Sequence, residues 1–426
     1  MADRADRART GPVLRGYLLA SRLIPALAPR HLRKRLALGK EDPDRWREKL
    51  GAATAARPAG RLVWFNAVGL GEVLALRGLI EAMAARDAAL SFLVTSSARS
   101  SAQVVAANLP ERTLHQFLPL DAPAYLARFL DHWRPDLSVW AEQELWPGAV
   151  VATARRGIPL ALVNARITPE GFARRQRARG LFRDLMSRFA RVDAQDDGTA
   201  ERLRALGAEQ VQVSGSLKIA GPPLSAAPEA LEAARAALAG RKPWLAASTH
   251  DADEAEAIAA MRALADDPAW LLLLVPRDIA RAEAVAAELE AAGLPHARRS
   301  RGELPGPEHK VWLADSYGEL GLWYRLADRA LIGGSFDATE GHNPWEAARL
   351  GAAILHGPCT ANFRADYEAL DAAGAARQLA PGELAAALTD EAGLAAMAQK
   401  AQALVAQSRD ALAPLAGQLL ELMERR

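Results

Sequence analysis

The stretch LIGGSFDATEGHNPWEAARLGAAILHGP, residues 331–358, decides how the fold is read. It begins as a short apolar strand, opens into Gly333-Gly334-Ser335, loops through Asp337 to His342, and enters a helix at Asn343-Pro344. Asn343 suits an N-cap. Pro344 suits the first helical position, where its missing N–H is no loss, and Glu346 follows three residues after the cap. A helix N-terminus beneath a glycine-rich loop favours an anion, because free backbone N–H groups and the helix dipole both point at it. The spacing leaves two roles open for Glu346: closing a capping box, or accepting hydrogen bonds from ribose hydroxyls. Gly351 stops the helix, and residues 352–355 restart a buried strand. Such strand–loop–helix–strand units place ligands at the carboxyl ends of their strands.

The same alternation runs through the chain in two series. Residues 62–68 read as a buried strand and 73–86 as an amphipathic helix. Strand-like residues 90–95, 137–140, 160–164 and 211–213 follow, with a helix opening at Trp146-Pro147. Gly221-Pro222-Pro223 and the alanine-rich stretch to Lys242 read as a linker and an entry helix. A second series begins at residues 244–250 and passes through 271–276 and 311–315 to the opening stretch. This pattern predicts an α/β protein of two doubly wound, Rossmann-like domains with parallel sheets, their ligand loops facing a central cleft. The expected division is residues 1–38, a basic and apolar leading segment; 39–220, the first domain; 221–393, the second; and 394–426, a helical tail.

A chain of 426 residues has room for two substantial cores, and its 50% apolar and 24% charged content is ordinary for a globular protein. The net charge is only +2, so basicity has to be judged locally. Cys359, the single cysteine, excludes an internal disulfide and a multi-cysteine metal site, and it fits a reducing compartment. Residues 17–28, YLLASRLIPALA, are apolar but interrupted by Arg22 and Pro25. Arg4, Arg7, Arg9 and Arg15 precede them, and Arg30, Arg33, Lys34 and Arg35 follow. A bilayer span needs about 20 apolar residues, so this segment is too short to cross. It suits the headgroup region of an anionic membrane, or a helix docked on its own domain; both stay open.

In the first half three strand ends carry unusual residues. Asn66-Ala67-Val68-Gly69-Leu70-Gly71-Glu72 brings a carboxylate to the point where a glycine-loosened loop becomes a helix. Glu142-Gln143-Glu144 places two more at another such junction, and Asn164-Ala165-Arg166 ends a third strand. Glu72 alone would more simply complement a helix dipole; three polar strand ends in one domain favour a site. From Arg166 to Arg191 the chain is rich in arginine, including Arg174, Arg175, Arg177, Arg179, Arg183 and Arg188. Such a run is either a solvated helix face or a set of forks for phosphate. Aromatic residues for base stacking are sparse there, which argues against nucleic acid, and no paired metal-ligand spacing stands out. In the second half Ser248-Thr249-His250, Pro276-Arg277 and Ser316-Tyr317-Gly318-Glu319 sit at strand ends with the opening stretch. Hydroxyls, an arginine, amides and one acid suit a nucleotide with a single phosphate, and no P-loop is present.

In order and spacing these motifs resemble the bacterial 3-deoxy-D-manno-octulosonic acid (Kdo) transferases of the lipid A pathway, which have the GT-B glycosyltransferase fold. The likeness covers nearly the whole chain: Gly39-Lys40-Glu41-Asp42-Pro43, Val68-Gly69-Leu70-Gly71-Glu72, Glu144-Leu145-Trp146-Pro147, Asn164-Ala165-Arg166, Gly215-Ser216-Leu217-Lys218, Ser248-Thr249-His250, Val275-Pro276-Arg277, Gly318-Glu319-Leu320, Gly333-Gly334-Ser335, Gly341-His342-Asn343-Pro344 and Gly357-Pro358. It implies inverting transfer of Kdo from CMP-Kdo to a phosphorylated lipid A precursor. No cofactor or metal is implied, and the place of work is the cytoplasmic face of the bacterial inner membrane. On the matched motifs Glu72 looks like the general base. Glu144 and Arg166, with Arg174 and Arg175, look like acceptor-side groups. Ser248, Thr249, Arg277, Ser316, Gly318, Gly334, Ser335, Asn343 and Glu346 look like donor-side groups for CMP. The chain departs from the family pattern at Gly148, where asparagine is usual after Trp-Pro, at residues 168–171, at Ala252 and Asp278, and at Glu340, where glycine is usual. A divergent paralogue of the same fold using another acceptor, a sugar-nucleotide epimerase of that fold and a non-catalytic paralogue that binds nucleotide or lipid are the rival readings.

Overall fold

The structure, a computed structural model, describes residues 10–67, 70–97, 109–142, 145–238 and 240–424, with the backbone alone of 70–74. Its contacts divide the chain into two units: residues 1–221 with 408–426, and residues 222–407.

The first unit is a parallel sheet in the order β3-β2-β1-β4-β5-β6-β7. Its strands are β1 (Leu62–Asn66), β2 (Ser91–Ser96), β3 (Thr113–Phe117), β4 (Leu137–Ala141), β5 (Leu160–Ala165), β6 (Arg191–Ala194) and β7 (Val211–Val213). The central strands are buried on both faces, as sheets covered by helices on either side require. One core packs Trp64, Phe129, Trp140 and Val150; the other packs Phe65, Leu76, Leu79 and Val139. The tail expected as a separate element is the end of one helix, Glu391–Glu424, and its Leu412, Leu415 and Leu419 complete the second of these cores.

The second unit repeats the plan in the order β10-β11-β9-β8-β12-β13-β14. Its strands are β8 (Lys242–Thr249), β9 (Trp270–Pro276), β10 (His296–Arg298), β11 (Val311–Leu313), β12 (Arg329–Ile332), β13 (Ala353–His356) and β14 (Ala376–Gln378). Every pairing in both sheets is parallel. The order reverses between β1 and β4 in one unit and between β8 and β12 in the other, and these are the points where doubly wound sheets open toward ligands. Strands β3, β6, β10 and β14 were not expected from the sequence.

The leading segment is two helices, Pro12–Ala20 and Ile24–Ala37, docked on the first unit. Leu14, Ser21, Ala28 and Leu32 face inward and are buried, while Val13, Leu19, Leu23 and Leu27 are 57–69% exposed. Tyr17 fixes the rotation: its Oη donates to Asp121 Oδ2 at 2.7 Å. The same buried carboxylate accepts the N–H groups of Gly148 and Ala149, each at 2.7 Å, and so caps the helix Pro147–Arg155. A Cβ at 148 would lie 2.7 Å from Asp121 Oδ1, which accounts for glycine where asparagine was the expectation. Asp121→Ala would strand three donors, so we expect a loss of about 2–4 kcal/mol in stability, read as a lower denaturant midpoint at unchanged slope.

Candidate functional site

In the second unit the switch-point edge is built around Asp253, fully buried in the first turn of the helix Asp251–Leu264. Its Oδ2 accepts the N–H of His250 at 2.9 Å and of Gly334 at 2.6 Å; its Oδ1 accepts those of Ser335 and Phe336 at 3.2 Å. Burial raises the Asp253 pKa, and the backbone N–H bonds oppose that rise. The glycine-rich loop therefore encloses a carboxylate of the protein itself. This corrects the expectation that its amides, Gly334 included, are free for an outside anion.

Several expected donor-side groups are likewise engaged. Ser335 is buried; its hydroxyl donates to Ile332 O at 2.6 Å and accepts from Gly357 N at 2.9 Å. Thr249 is buried too, with its hydroxyl directed at Glu254 Oε1, 3.2 Å away. The Ser316 hydroxyl donates to Glu319, which Arg299 holds bidentately at 2.7 and 3.1 Å. These three shape the loops rather than offer hydroxyls. The helix at the end of the opening stretch begins at Trp345 and not at Pro344, and the capping box, one of the two roles open to Glu346, is absent. Asn343 Oδ1 accepts from Trp345 N at 3.1 Å, and its Nδ2 lies 3.4 Å from Glu346 Oε1. The Glu346 carboxyl thus accepts from a side chain and closes no capping box. Its burial raises the pKa, while Arg349, Asn343 and Arg277 favour the charged form.

Open at this edge are Arg277, which is exposed; Gly318, with φ +85° and no atom within 4 Å of a built Cβ; and Ser248, half-buried with φ +55°. Beside them lies a pair that the sequence did not single out. His250 and His342 approach Nε2 to Nε2 at 2.9 Å, with ring centroids 5.2 Å apart and planes 17° from parallel. Burial, then His250 and Arg277, push the His342 pKa down to about 4. Asp253 was also missed, although its place three residues after His250 at a helix start was a visible capping signal.

In the first unit Glu72 stands in the first turn of the helix Leu70–Arg86, and its side chain lies outside the described residues. Glu144 lies outside them altogether. Glu142, at the end of β4, has φ +59° and meets Lys218 Nζ at 3.0 Å. Asn164, at the end of β5, has φ +55°; it directs Nδ2 at Glu142 Oε1 from 3.4 Å and accepts Leu217 N at 2.9 Å. The ends of β4 and β5 thus meet the segment after β7, and Lys218 is the cation that was not among the expected site residues. Arg166 is half-buried. Arg175 bends back to Gly171 O at 3.1 Å and lies over Phe182, while Arg174 is exposed. Among the described residues no group of three or more His, Cys, Asp or Glu side chains could hold a metal ion.

Two parallel doubly wound units with ligand-facing switch points define a GT-B type of protein. A glycosyltransferase from Rickettsia africae shares that fold, with TM-score 0.51, 12% identity and coverage of 86% of this chain and 99% of its own. The family model described as 3-Deoxy-D-manno-octulosonic-acid transferase (kdotransferase) matches residues 44–220. The 3-deoxy-D-manno-octulosonic acid transferase of Bordetella pertussis is 36% identical over 76% of this chain and 77% of its own. That of Rickettsia bellii is 31% identical over 76% and 77%. The chain belongs to the 3-deoxy-D-manno-octulosonic acid transferase family.

Asp253→Ala would leave four loop N–H groups without their acceptor. We expect a loss of about 3 kcal/mol or more in stability and faster amide exchange at Gly334, Ser335 and Phe336, read by mass spectrometry.

Proposed function

We propose that this protein moves Kdo from CMP-Kdo to a phosphorylated lipid A precursor, with inversion and without a metal, while attached to the anionic cytoplasmic face of the bacterial inner membrane. Family membership carries the reading. In it the second unit binds the donor: Arg277 faces the phosphate, Glu346 accepts ribose hydroxyls, and Ser248, Gly318 and Asn343 line the nucleotide. Gly334, Ser335, Thr249 and Ser316 hold the loops that surround it. The first unit binds the acceptor through Glu144, Arg166, Arg174 and Arg175, and Glu72 is the general base.

The chemistry calls for such a division. A sugar hydroxyl is a poor nucleophile near neutral pH, so inversion needs a base on the face opposite the departing CMP. As the bond to CMP breaks, charge develops on phosphate, and a fixed guanidinium such as Arg277 stabilises it. The deciding experiment incubates the purified protein with CMP-Kdo and a tetraacylated lipid A precursor and weighs the lipid by mass spectrometry. Addition of one or more Kdo units is expected; an unmodified lipid would refute the proposal. Glu72→Gln should reduce turnover by about 10²–10⁴ with CMP affinity retained. Turnover at the unsubstituted rate would remove Glu72 from the role.

Membrane attachment is supported by the outward face of the two leading helices, where Val13, Leu19, Leu23 and Leu27 stand exposed among Arg15, Arg22 and Arg30. Among the described residues no helix is long and apolar enough to cross a membrane. Leu23→Asn with Leu27→Asn should weaken sedimentation with anionic vesicles at least about tenfold, since each replaced leucine forfeits roughly 1.5–3 kcal/mol of apolar burial. The melting temperature should hold, because both side chains are 69% exposed. Undiminished sedimentation of a folded variant would exclude this face.

A further inference from the structure

The enclosure of Asp253 leaves a question of charge at the second unit's switch point. The amides of Gly334, Ser335 and Phe336 are committed to that carboxylate, and Trp345 N is committed to Asn343. The cation at the end of β9 is the exposed Arg277, whose charge is felt by His342, one of the two paired imidazoles. We propose that the anionic group of a phosphodiester donor is received by Arg277 together with the His250–His342 pair, and that the pair takes up one proton as the anion binds. This rests on the donor reading given above and adds to it the identity and protonation of the anion subsite.

The geometry carries the proposal. At 2.9 Å the two Nε2 atoms share one N–H, so one ring donates and the other accepts. In that state the shared proton is spent between the rings and neither Nε2 offers an N–H outward. A proton drawn from solvent onto the accepting Nε2 breaks the N–H···N bond and leaves two N–H groups, each able to donate to an anion oxygen. The surroundings oppose this step in the absence of ligand. Burial most of all, then His250, then Arg277 from the end of β9, disfavour charge on His342.

The acidic groups around the pair do not reverse that balance. Asp337, on the loop after β12, favours the charged ring but ranks below the other three causes. Asp253 is bound to backbone N–H groups, and Glu346 interacts with Arg349 and Arg277. From the helix Arg364–Ala372, Tyr367 donates its hydroxyl to His342 O at 2.8 Å and so leaves the ring free. An anion that neutralises Arg277 removes one of the three opposing influences and supplies acceptors for both new N–H groups.

The sign follows from linkage. A base whose pKa rises on binding makes the ligand bind more tightly as pH falls toward the ligated value. The probe is the methyl ester of CMP, a phosphodiester whose phosphate charge stays constant over the range used. Its affinity for the full chain should be at least about fivefold tighter near pH 6 than near pH 8. Calorimetry in two buffers of different protonation enthalpy should read net proton uptake directly in the unsubstituted protein. His342→Gln and, separately, His250→Gln should abolish both the uptake and the pH slope. Tight binding with a flat pH profile and no uptake would overturn the proposal while leaving the donor reading intact, as would a folded His342→Gln protein that keeps the original slope. Failure of the ester to bind at any pH would sink the donor reading and this proposal with it.

Discussion

A single buried carboxylate sets the terms for the second unit. Asp253 gathers N–H groups from the end of β8 and from the loop after β12, the two strands that flank the switch point. Without it these donors would be orphaned in a dry interior, at about 1–3 kcal/mol for each one left unsatisfied. With it the glycine-rich loop is rigid and already neutralised. A loop of this sequence has the shape of a phosphate cradle, yet its cradle is full. Positive charge for a ligand must then come from side chains around the rim, and Arg277 is exposed there.

Backbone strain marks both edges. Among the described residues six non-glycine positions have positive φ, and four of them, Glu142, Asn164, Ser248 and Glu340, lie at strand ends or in the opening loop. Each such conformation costs about 1–2 kcal/mol for a residue with a Cβ. In β5 and in β8 the strained residue coincides with a shift in strand register, between Leu162 and Ala165 and between Ala247 and Thr249. The two units thus use one device: the last turn of a central strand is bulged so that a polar side chain is re-aimed away from the ladder. At Glu340 the strain falls where the resemblance expected glycine.

The alternation of long apolar runs with helical periods made the two sheets legible, because strands buried on both faces are predominantly apolar. What escaped were strands without that signature. β3, β10 and β14 are edges, with only three residues in each of the last two, and β6 reads Arg-Val-Asp-Ala. Its Arg191 and Asp193 are buried as an ion pair at 2.6 Å, which composition alone would assign to a surface loop. The polar segments do lie at strand ends, but the partner of each hydroxyl was not legible. Ser335 and Ser248 look equally available in a sequence, and only tertiary hydrogen bonding separates a buried staple from an open group. The helix start slipped by one residue because Asn343 meets Trp345 N through a side-chain turn in place of a full cap.

The leading helices show how one ambiguity resolves into two surfaces. A segment with apolar residues on every side reads equally as a docked helix or an interfacial one, since periodicity without a polar stripe gives no direction. Direction comes from polar contacts at the first helix: the Gly11 N–H donates to Asp184 Oδ2 at 2.6 Å and the Tyr17 hydroxyl to Asp121 Oδ2 at 2.7 Å. Once the Tyr17 hydroxyl is held by Asp121, Leu14, Ser21 and Ala28 are turned into the first unit, and the intervening Val13, Leu19, Leu23 and Leu27 have nowhere to go but outward. Docking therefore creates the exposed apolar face instead of competing with it. The carboxylate that holds Tyr17 also caps the helix Pro147–Arg155, so the outward face and the start of that helix are held by one side chain.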